Sequence, residues 1–480
     1  MEHNAIHRRE RPFVAGEWVS GGDPLPVSDL ADGGTFASVE AASAGDAKRA
    51  LAAAEDAEAA LRETTVPERV EWLEAIADGL RARKDELAEV IVREAGKPVS
   101  SARNEVESAA ERFERAVGEI RHLKGEFRRG TTAGHADWRA VVEPEPIGTV
   151  LCIAPYNYPL ATTALQVAPA VAAGNAVVVK PASKTPVSGA ILAEIVADAG
   201  LPEGAFNFVP GESSVVGDPL ASDSRVDAIA MTGSSAAGEH VARQSGITRL
   251  HMELGGNAPA IVFEDADLDE AAAAAAKGSL KYAGQRCSAV SRVLAHESVH
   301  DDLVARIDDA MDDWTVGDLF EDDTDLGPLV SAEQADWVAE LVDDAVERGA
   351  TVVRGGQRYE ENGIHFYEPT LLADVPRDAR IVDEEQFGPV CAVTTVDGAD
   401  DAVDLANRSD LALDAAVFTA DHDRAMDVAQ RVDAGAVRVN GAPSHGLGDV
   451  PFGGNGASGI GREGLDATIH EFVREKSIIL

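Results

Sequence analysis

The sequence predicts an α/β protein built on parallel sheets. Short apolar strands alternate with helical segments in two successive series, one starting at Gly148 and the other near Ala258. Repeated strand–helix units of this kind are typical of a parallel sheet flanked by helices. The chain has 480 residues, which is long for a single hydrophobic core, so two or three domains are expected.

The elements follow from the spacing of apolar residues along the chain. Residues 66–123 are predicted to be helical, because apolar side chains recur at helical spacing among many Glu and Arg residues. The first series then predicts strands at 148–154, 176–180, 205–209 and 227–231, and helices at 165–173, at 189–199 and after residue 234. The second series predicts a helix at 271–276 and strands at 291–295, 390–395 and 415–419. Segments 136–143 and 472–480 are extended but fit neither series, and exposed strands of that kind often pair with another subunit.

The charge balance is strongly acidic, with 84 Asp and Glu against 42 Lys and Arg and a net charge of −42. Self-repulsion of this size destabilises a fold at low salt and is screened in molar salt. We therefore expect a halophile with a salt-rich cytoplasm, the alternative being an ordinary acidic protein. Nucleic-acid binding is not expected, because it depends on clusters of Lys and Arg.

Cysteine content and hydropathy indicate a cytoplasmic protein. Three widely spaced cysteines suit a reducing compartment and exclude a disulfide framework. The first residues lack an apolar signal core. The most apolar stretch, 147–179, is too interrupted by Pro and Asn for a membrane span of about 20 residues. No membrane association is expected.

Cys287 is a candidate nucleophile and Glu253 a candidate general base. Cys152 and Cys391 lie in apolar strands, where cysteine behaves as a small inert hydrophobe. Cys287 instead follows Arg286, a cation that favours the thiolate. Glu253 precedes two glycines that let the backbone approach a ligand, and no His near Cys287 competes as the base. A solvated loop carboxylate is the alternative for Glu253.

Asn157 is a candidate donor to an oxyanion. It follows a predicted strand and is flanked by Pro155 and Pro159. Open α/β sheets bind ligands at the carboxyl ends of their strands, and a rigid amide there can stabilise developing negative charge. A turn-forming Asn is the alternative.

Two features suit a nucleotide. Gly233 and Ser234 link a predicted strand to a helix whose first N–H groups can bind a pyrophosphate, although the G-x-G-x-x-G pattern is missing. Lys180 ends another strand, where its ammonium can meet a ribose or phosphate. The alternative is a surface lysine with its stem packed on the protein.

Taken together, these residues resemble the aldehyde dehydrogenase superfamily over nearly the whole chain. No single motif is decisive, but their order along the chain is very specific. The matching segments are Ala154-Pro155-Tyr156-Asn157-Tyr158-Pro159, Gly174-Asn175-Ala176 to Lys180-Pro181-Ala182, Thr232-Gly233-Ser234, Glu253-Leu254-Gly255-Gly256, Gly284-Gln285-Arg286-Cys287, Glu384-Glu385-Gln386-Phe387-Gly388-Pro389-Val390 and Pro451-Phe452-Gly453-Gly454.

The resemblance implies a three-part architecture and an oligomer. A Rossmann-like NAD(P)-binding domain is expected at 1–126 and 145–254, and an α/β catalytic domain at 255–465. A small β oligomerisation element is expected at 127–144 and 466–480. A homodimer or homotetramer follows from that element, and no metal site is implied.

The resemblance also implies roles for individual residues. Cys287 would attack an aldehyde to form a thiohemiacetal, with the oxyanion held by Asn157 and the Cys287 N–H. Hydride transfer to the nicotinamide would leave a thioester, which water activated by Glu253 would hydrolyse. Cofactor contacts would come from the residues at six positions: Lys180, Ser183, Gly233, Ser234, Glu385 and Phe387.

Departures from the family pattern bear on the cofactor. NAD-preferring members usually carry Glu where Ser183 stands. Ser183 followed by Lys184 leaves space and positive charge for a 2′-phosphate. NADP is therefore expected to be accepted or preferred, with NAD as the alternative cofactor.

The resemblance also gives an expectation about the substrate. Segments at 284–287, 413–418 and 443–446 most resemble archaeal non-phosphorylating glyceraldehyde-3-phosphate dehydrogenases. In that group Arg286 would contact the phosphate and His445 would lie in the substrate site, whereas Ser444 replaces an Arg found in some relatives. Lactaldehyde, glycolaldehyde or a semialdehyde are alternative substrates. A coenzyme A-acylating enzyme is the alternative of another class, and such enzymes often lack the carboxylate at Glu253.

Overall fold

The computed structural model describes residues 8–443 and 450–480 and confirms the predicted α/β class. The helices are α1 (Ala44–Arg62), α2 (Val66–Ala82), α3 (Lys84–Ala95), α4 (Val99–His122), α5 (Ala161–Ala173), α6 (Val187–Asp198), α7 (Asp218–Ala221), α8 (Ser235–Gln244), α9 (Leu268–Leu280), α10 (His300–Met311), α11 (Ala332–Glu347), α12 (Ala399–Ala406), α13 (His422–Arg431) and α14 (Leu465–Glu471).

The strands are β1 (Arg8–Glu10), β2 (Phe13–Val14), β3 (Glu17–Trp18), β4 (Pro24–Ser28), β5 (Thr35–Glu40), β6 (Glu126–Arg129), β7 (Arg139–Pro146), β8 (Thr149–Ile153), β9 (Ala176–Lys180), β10 (Phe206–Phe208), β11 (Ala228–Thr232), β12 (Arg249–Glu253), β13 (Ala258–Val262), β14 (Val290–His296), β15 (Thr351–Arg354), β16 (Arg358–Glu361), β17 (Ile364–Tyr367), β18 (Thr370–Ala373), β19 (Val390–Val396), β20 (Leu411–Ala412), β21 (Asp414–Phe418), β22 (Ala436–Val439), β23 (Asn455–Gly456), β24 (Gly459–Ile460) and β25 (Val473–Ile479).

The first large sheet has the order β24-β12-β11-β8-β9-β10-β2-β3. Its central strands, β12 to β10 in that order, are parallel, and antiparallel strands close both ends. Helices α2 to α6 pack on one face of this sheet and α1 packs on the other. A buried apolar cluster lies between the helices and the sheet on each face. The carboxyl ends of four neighbouring parallel strands, β9, β8, β11 and β12, therefore meet along one edge.

The second large sheet has the order β15-β18-β19-β14-β13-β21-β22 and is parallel except for β15. Its own apolar cluster is formed with helices such as α9, α10 and α11. The strands of the first sheet come mainly from the chain before Glu253 and those of the second from the chain after it. The exact domain limits given above stay a prediction.

The two extended segments that fit neither series form a separate small sheet with the order β25-β7-β6. Strand β25 pairs antiparallel with β7 over its whole length, from Val473 opposite Pro146 to Ile479 opposite Ala140. Their first partners are thus in the same chain and not in another subunit. A short 3₁₀ turn at Ala133–His135 delays the start of β7 relative to the predicted segment.

Long-range contacts account for the main differences from the predicted element boundaries. Helix α5 starts before the predicted position because the Glu105 carboxylate accepts the N–H groups of Leu160 and Ala161 at 3.1 and 3.2 Å. The sequence patterns predicted no elements before residue 66, whereas the structure has β1 to β5 and α1 there. These strands are short, and pattern reading over a few residues is weak.

Candidate active site

Cys287 lies in a turn between α9 and β14 that is held in a strained shape. Tyr282 and Ala283 have left-handed backbones with φ of 56° and 50°, a conformation that costs roughly 1–2 kcal/mol per non-glycine residue. The Tyr282 hydroxyl donates to the Ala95 carbonyl at 2.7 Å. The buried Gln285 side chain donates to Pro328 O at 3.2 Å and accepts from Val330 N at 3.0 Å. These bonds fix the turn that presents the Cys287 thiol.

Glu253 ends β12, and the Gly-Gly pair that follows brings this strand against Cys287. A Cβ at Gly256 would lie 2.2 Å from the Cys287 carbonyl oxygen, so only glycine fits there. The Glu253 side chain is 5% exposed, and neither carboxyl oxygen has a hydrogen-bond partner in the described part of the chain. Burial raises its pKa well above the ordinary value, and the nearby carboxyls of Glu463 and Asp414 raise it further. Such a carboxyl can take and hold a proton.

The electrostatic setting of Cys287 differs from the sequence expectation. Burial raises the pKa of the thiol, and the carboxyls of Asp414, Glu385 and Glu253 raise it further. Arg286 acts in the expected direction and lowers that pKa, but its contribution is the smaller one. Arg286 therefore favours the thiolate as expected, but burial and three carboxyls outweigh the effect of this one guanidinium on the pKa of Cys287.

Asn157 lies in the turn that follows the carboxyl end of β8 at Ile153 and is buried. Its Nδ2 donates to the Gln285 carbonyl at 2.9 Å, and its Oδ1 accepts from Tyr158 N at 3.1 Å. An amide nitrogen carries two hydrogens, so one remains for a second acceptor. The Asn157 amide is therefore bonded to the turn that carries the thiol, at a residue two positions before Cys287.

One cavity of about 400 Å³ connects the Cys287 thiol with the Glu253 carboxyl. Cys287, Glu253 and Arg286 line it, together with a polar face of α4. That face carries Ser101, Asn104, Glu105, Ser108 and Arg112, which recur at helical spacing.

The sequence analysis missed several cavity residues. Arg112 on α4 and Lys281 before the strained turn add positive charge beside Arg286, and Glu463 adds a carboxyl near Glu253. The polar residues that recur on α4 beside its buried apolar face were the signal that could have identified Arg112. Nothing in the sequence around Glu463 indicated its place, since it comes from the far end of the chain.

Lys180 and Ser183 lie at the carboxyl end of β9. Lys180 is 5% exposed, and its Nζ donates to Ser213 Oγ at 3.1 Å. Burial lowers its pKa, although Glu212 and Asp218 oppose that effect. Ser183 donates to the Gly211 carbonyl at 3.2 Å.

Lys184 does not reinforce Ser183 as the sequence suggested. Its Nζ donates to Ser331 Oγ at 2.7 Å and lies 3.8 Å from Glu333, at the start of α11. The positive charge expected beside Ser183 is therefore directed to a different part of the structure.

Gly233 and Ser234 occupy the predicted strand-to-helix turn. Gly233 N donates to the Glu253 carbonyl at 3.1 Å, and Ser234 caps α8 by accepting from Ala237 N at 3.3 Å. The first N–H groups of this ten-residue helix point out of the sheet edge, which suits an anion.

Glu385 and Phe387 face the same region from the second half of the chain. The Glu385 carboxylate accepts from Gly256 N at 3.0 Å, and burial raises its pKa to about 8. Phe387 has a left-handed backbone with φ of 48° and packs edge-on against Tyr156 with ring centroids 5.9 Å apart. The buried Tyr156 hydroxyl has no hydrogen-bond partner among the described residues.

The structure thus brings most of the predicted site residues to one edge of the first sheet. Lys180, Asn157, Ser234 and Glu253 follow or end the neighbouring strands β9, β8, β11 and β12, and Cys287 approaches them from the second half. His445, and Ser444 beside it, lie outside the described residues. Within residues 8–443 and 450–480, no cluster of His, Cys, Asp and Glu has the arrangement of a metal site. No described helix has the length and apolar character needed to cross a membrane.

Comparisons with known proteins agree on one family. A family model described as the aldehyde dehydrogenase family matches residues 18–478. The chain is 36% identical to an NADP-dependent glyceraldehyde-3-phosphate dehydrogenase of Streptococcus equinus over 98% of both chains. It is 37% identical to the mitochondrial succinate-semialdehyde dehydrogenase of Rattus norvegicus, over 97% of this chain and 89% of that protein.

A solved structure shows the same fold. The NADP-dependent glyceraldehyde-3-phosphate dehydrogenase of Bacillus halodurans C-125, complexed with NADP, has a TM-score of 0.95 and 37% identity to this chain. The match covers 98% of this chain and 99% of that one.

Proposed function

The chain belongs to the aldehyde dehydrogenase family, and on that basis we propose that it oxidises an anionic aldehyde, foremost glyceraldehyde 3-phosphate, to the free acid. It is an NAD(P)-dependent oxidoreductase. The observation that carries the proposal is that Gly256 packs against Cys287 and that the Glu253 carboxyl and the thiol line one cavity together with four cationic side chains.

In the proposed reaction Cys287 is the nucleophile. After losing its proton, the thiolate attacks the aldehyde carbon, and the oxyanion accepts hydrogen bonds from Asn157 Nδ2 and the Cys287 N–H. The bound dinucleotide supplies the hydride acceptor. Glu253 then takes a proton from a water molecule whose oxygen attacks the thioester, and the carbon–sulfur bond breaks to release the acid and the Cys287 thiolate. Because the buried Glu253 carboxyl has no hydrogen-bond partner among residues 8–443 and 450–480, its lone pairs are available to that water.

The substrate class follows from the charges of the cavity. Arg286, Arg112 and Lys281 line it, and Arg286 and Arg112 each have a buried Nε without a hydrogen-bond partner in the described part of the chain. Guanidinium groups of this kind bind phosphate or carboxylate. Glyceraldehyde 3-phosphate fits this chemistry, as does a semialdehyde that ends in a carboxylate. The small neutral aldehydes, lactaldehyde and glycolaldehyde, have no anionic group for these cations to bind.

The residues present fit a dinucleotide. Lys180, Ser183 and the first turn of α8 at Gly233 and Ser234 would hold the adenosine ribose and the phosphates. We propose that NADP and NAD are both accepted. The absence of a carboxylate at Ser183 supports NADP, and the NADP-bound relative is consistent with it.

At its other end the cofactor would meet a second group of residues. Glu385 and Phe387, with the unpartnered hydroxyl of Tyr156, would surround the nicotinamide end. Glu385 would accept from a ribose hydroxyl, and the two aromatic rings would exclude water.

We propose that the protein is a homodimer or homotetramer assembled through the β25-β7-β6 sheet. Strands β6 and β25 form the outer edges of this sheet, and Phe127 and Ile479 on them are 59% and 57% exposed. Unpaired edges with exposed apolar side chains favour association. Light scattering in KCl measures the mass of the assembly and so tests this proposal.

We also propose a cytoplasmic location in a halophile, and this proposal is based on the composition alone.

Paired aldehydes test the substrate proposal. Glyceraldehyde 3-phosphate is compared with glyceraldehyde, and succinate semialdehyde with butanal, each with NADP and with NAD in high KCl. We expect the anionic member of a pair to have the larger kcat/KM. Arg286→Gln should reduce that advantage, because it lowers kcat/KM more for the anionic aldehyde than for the neutral one. Equal kcat/KM within both pairs would contradict the proposed anion site.

The hydrolytic step is tested in the same assays. Glu253→Gln should give a burst of reduced cofactor near one per active site and then little turnover, because the thioester accumulates. Glu297→Gln, an exposed carboxyl in a turn, is the matched control and should turn over normally. An unchanged steady-state rate in Glu253→Gln would exclude the base role, and a coenzyme A thioester formed in preference to acid would favour the acylating alternative.

A further inference from the structure

His251 is a buried histidine on β12, close to the candidate base Glu253. Its side chain is 3% exposed, and neither Nδ1 nor Nε2 has a hydrogen-bond partner among the described residues. Buried polar groups are nearly always paired, so an unpaired imidazole requires an explanation. His251 is two residues before Glu253 on β12, and alternate residues of a strand project from the same face.

The imidazole lies between two carboxyls. His251 Nε2 is 3.7 Å from Glu463 Oε1. On its other side, a Cβ at Gly461 would lie 2.6 Å from His251 Nδ1 and 3.2 Å from Glu471 Oε1, so both groups border the same glycine. Phe472 packs edge-on against the ring with centroids 6.2 Å apart. The two nitrogens therefore face a carboxyl of the cavity and a carboxyl near the surface.

Glu463 connects this histidine to the reaction site. It lines the same cavity as Glu253, and its charge is the strongest electrostatic influence on the pKa of Glu253 after burial. The other charged groups that face these carboxyls are Arg462 and Asp414 beside Glu253, and Arg112 of α4 beside Glu463. A row of titratable groups thus runs from the base, through Glu463 and His251, to Glu471 at the end of α14.

We propose that Glu463 and His251 form a proton path that returns Glu253 to its carboxylate form after each hydrolysis. The inference rests on the proposed function. Glu253 gains one proton from the attacking water when the new carbon–oxygen bond forms and the Cys287 thiolate leaves. That proton passes to the Glu463 carboxylate and on to His251 Nε2, while Nδ1 releases a proton towards Glu471 and solvent. His251 acts through Glu463 and is a positioning residue rather than a catalytic one.

The raised pKa of Glu253 makes such a path useful. A carboxyl that keeps its proton blocks the next turnover until that proton leaves, and burial slows its direct loss to solvent. The imidazole is suited to this task because it can bind a proton on one nitrogen and release one from the other.

The test separates hydride transfer from hydrolysis in high KCl. His251→Gln and His251→Phe should keep the wild-type burst of reduced cofactor and lose about 10- to 100-fold in steady-state kcat, at or below the lower end of what a positioned proton transfer contributes. The loss should shrink as the pH rises, because hydroxide can then deprotonate Glu253 directly. His470→Gln, an exposed histidine on the same helix as Glu471, is the control and should behave as wild type.

Two further results decide the interpretation. Glu463→Gln should show the same selective loss, and combining it with His251→Gln should add little, because both act on one path. A wild-type kcat and pH profile in both His251 variants would overturn the proposal, and so would equal losses of burst rate and kcat. If wild-type protein itself gives no burst with any aldehyde, the proposed function fails instead.

Discussion

Three carboxyls and one guanidinium act on the pKa of Cys287, and this balance sets how its thiolate forms. Asp414 is the carboxyl with the largest effect on the pKa of Cys287, while Arg286 acts in the opposite direction. Burial raises the pKa of Asp414 itself to about 7. Below that pH the Asp414 carboxyl is neutral and has little effect on the thiol, and above it the carboxylate disfavours the thiolate.

Alkylation rates test this balance at the residue scale. Asp414→Asn should raise the rate of Cys287 alkylation by iodoacetamide about threefold to tenfold above pH 7, because a shift of one pKa unit is a tenfold change in thiolate fraction. The difference from wild type should fade below pH 7. Arg286→Gln should lower the rate. If both variants change the rate in the same direction, access to the thiol and not charge controls it.

At the scale of elements, a buried ion pair joins α4, α5 and the strained turn. Lys97, just before α4, pairs with Glu105, whose other oxygen accepts the N–H groups that start α5. The Lys97 ammonium lies 3.4 Å from the ring centroid of Tyr158 and 4.6 Å from that of Tyr282. Burial lowers the pKa of Lys97 to about 8 even though Glu105 opposes that shift. Breaking this pair should therefore be costly.

Lys97→Met should lower the free energy of unfolding by about 3–5 kcal/mol, because it leaves a buried carboxylate without its cation. Adding Glu105→Gln should restore much of that loss, since the amide oxygen can still accept from the start of α5. Denaturant unfolding in constant KCl measures both. Lys84→Met is the matched control, because its pair with Glu107 is half-exposed and should be worth at most about 1 kcal/mol. Equal losses for the two lysines would contradict the assigned role of Lys97.

At the scale of the whole molecule, the net charge of −42 opposes folding. The Debye length falls from about 10 Å at 0.1 M salt to about 3 Å at 1 M, so repulsion between exposed carboxylates is screened in concentrated KCl. The free energy of unfolding should therefore rise steadily between 0.1 and 2 M KCl. Sucrose at matched osmolality is the control and should not replace the salt. Full stability at 0.1 M KCl would end the halophile proposal.

Local patterns were sufficient for much of the fold and for the main candidate residues. The alternation of apolar strands and helices predicted the parallel sheets, and the motifs around Asn157, Glu253 and Cys287 each sit on residues adjacent in sequence. Strand ends are readable in this way because hydrophobic periodicity is a property of neighbouring residues. The start of α5 could not be predicted in this way, because the Glu105 carboxylate that extends the helix is 55 residues away in the sequence.

The sequence by itself therefore determined the fold class, the family resemblance and the nucleophile, base and oxyanion donor as candidates. Only the tertiary structure decided that carboxyls outnumber the cation around Cys287, that Arg112 enters the cavity and that His251 faces Glu463. It also decided that β7 and β25 pair with each other. The physical reason is that burial and Coulomb interactions depend on distances through space. In several of these contacts, the two groups are separated by more than a hundred residues along the chain.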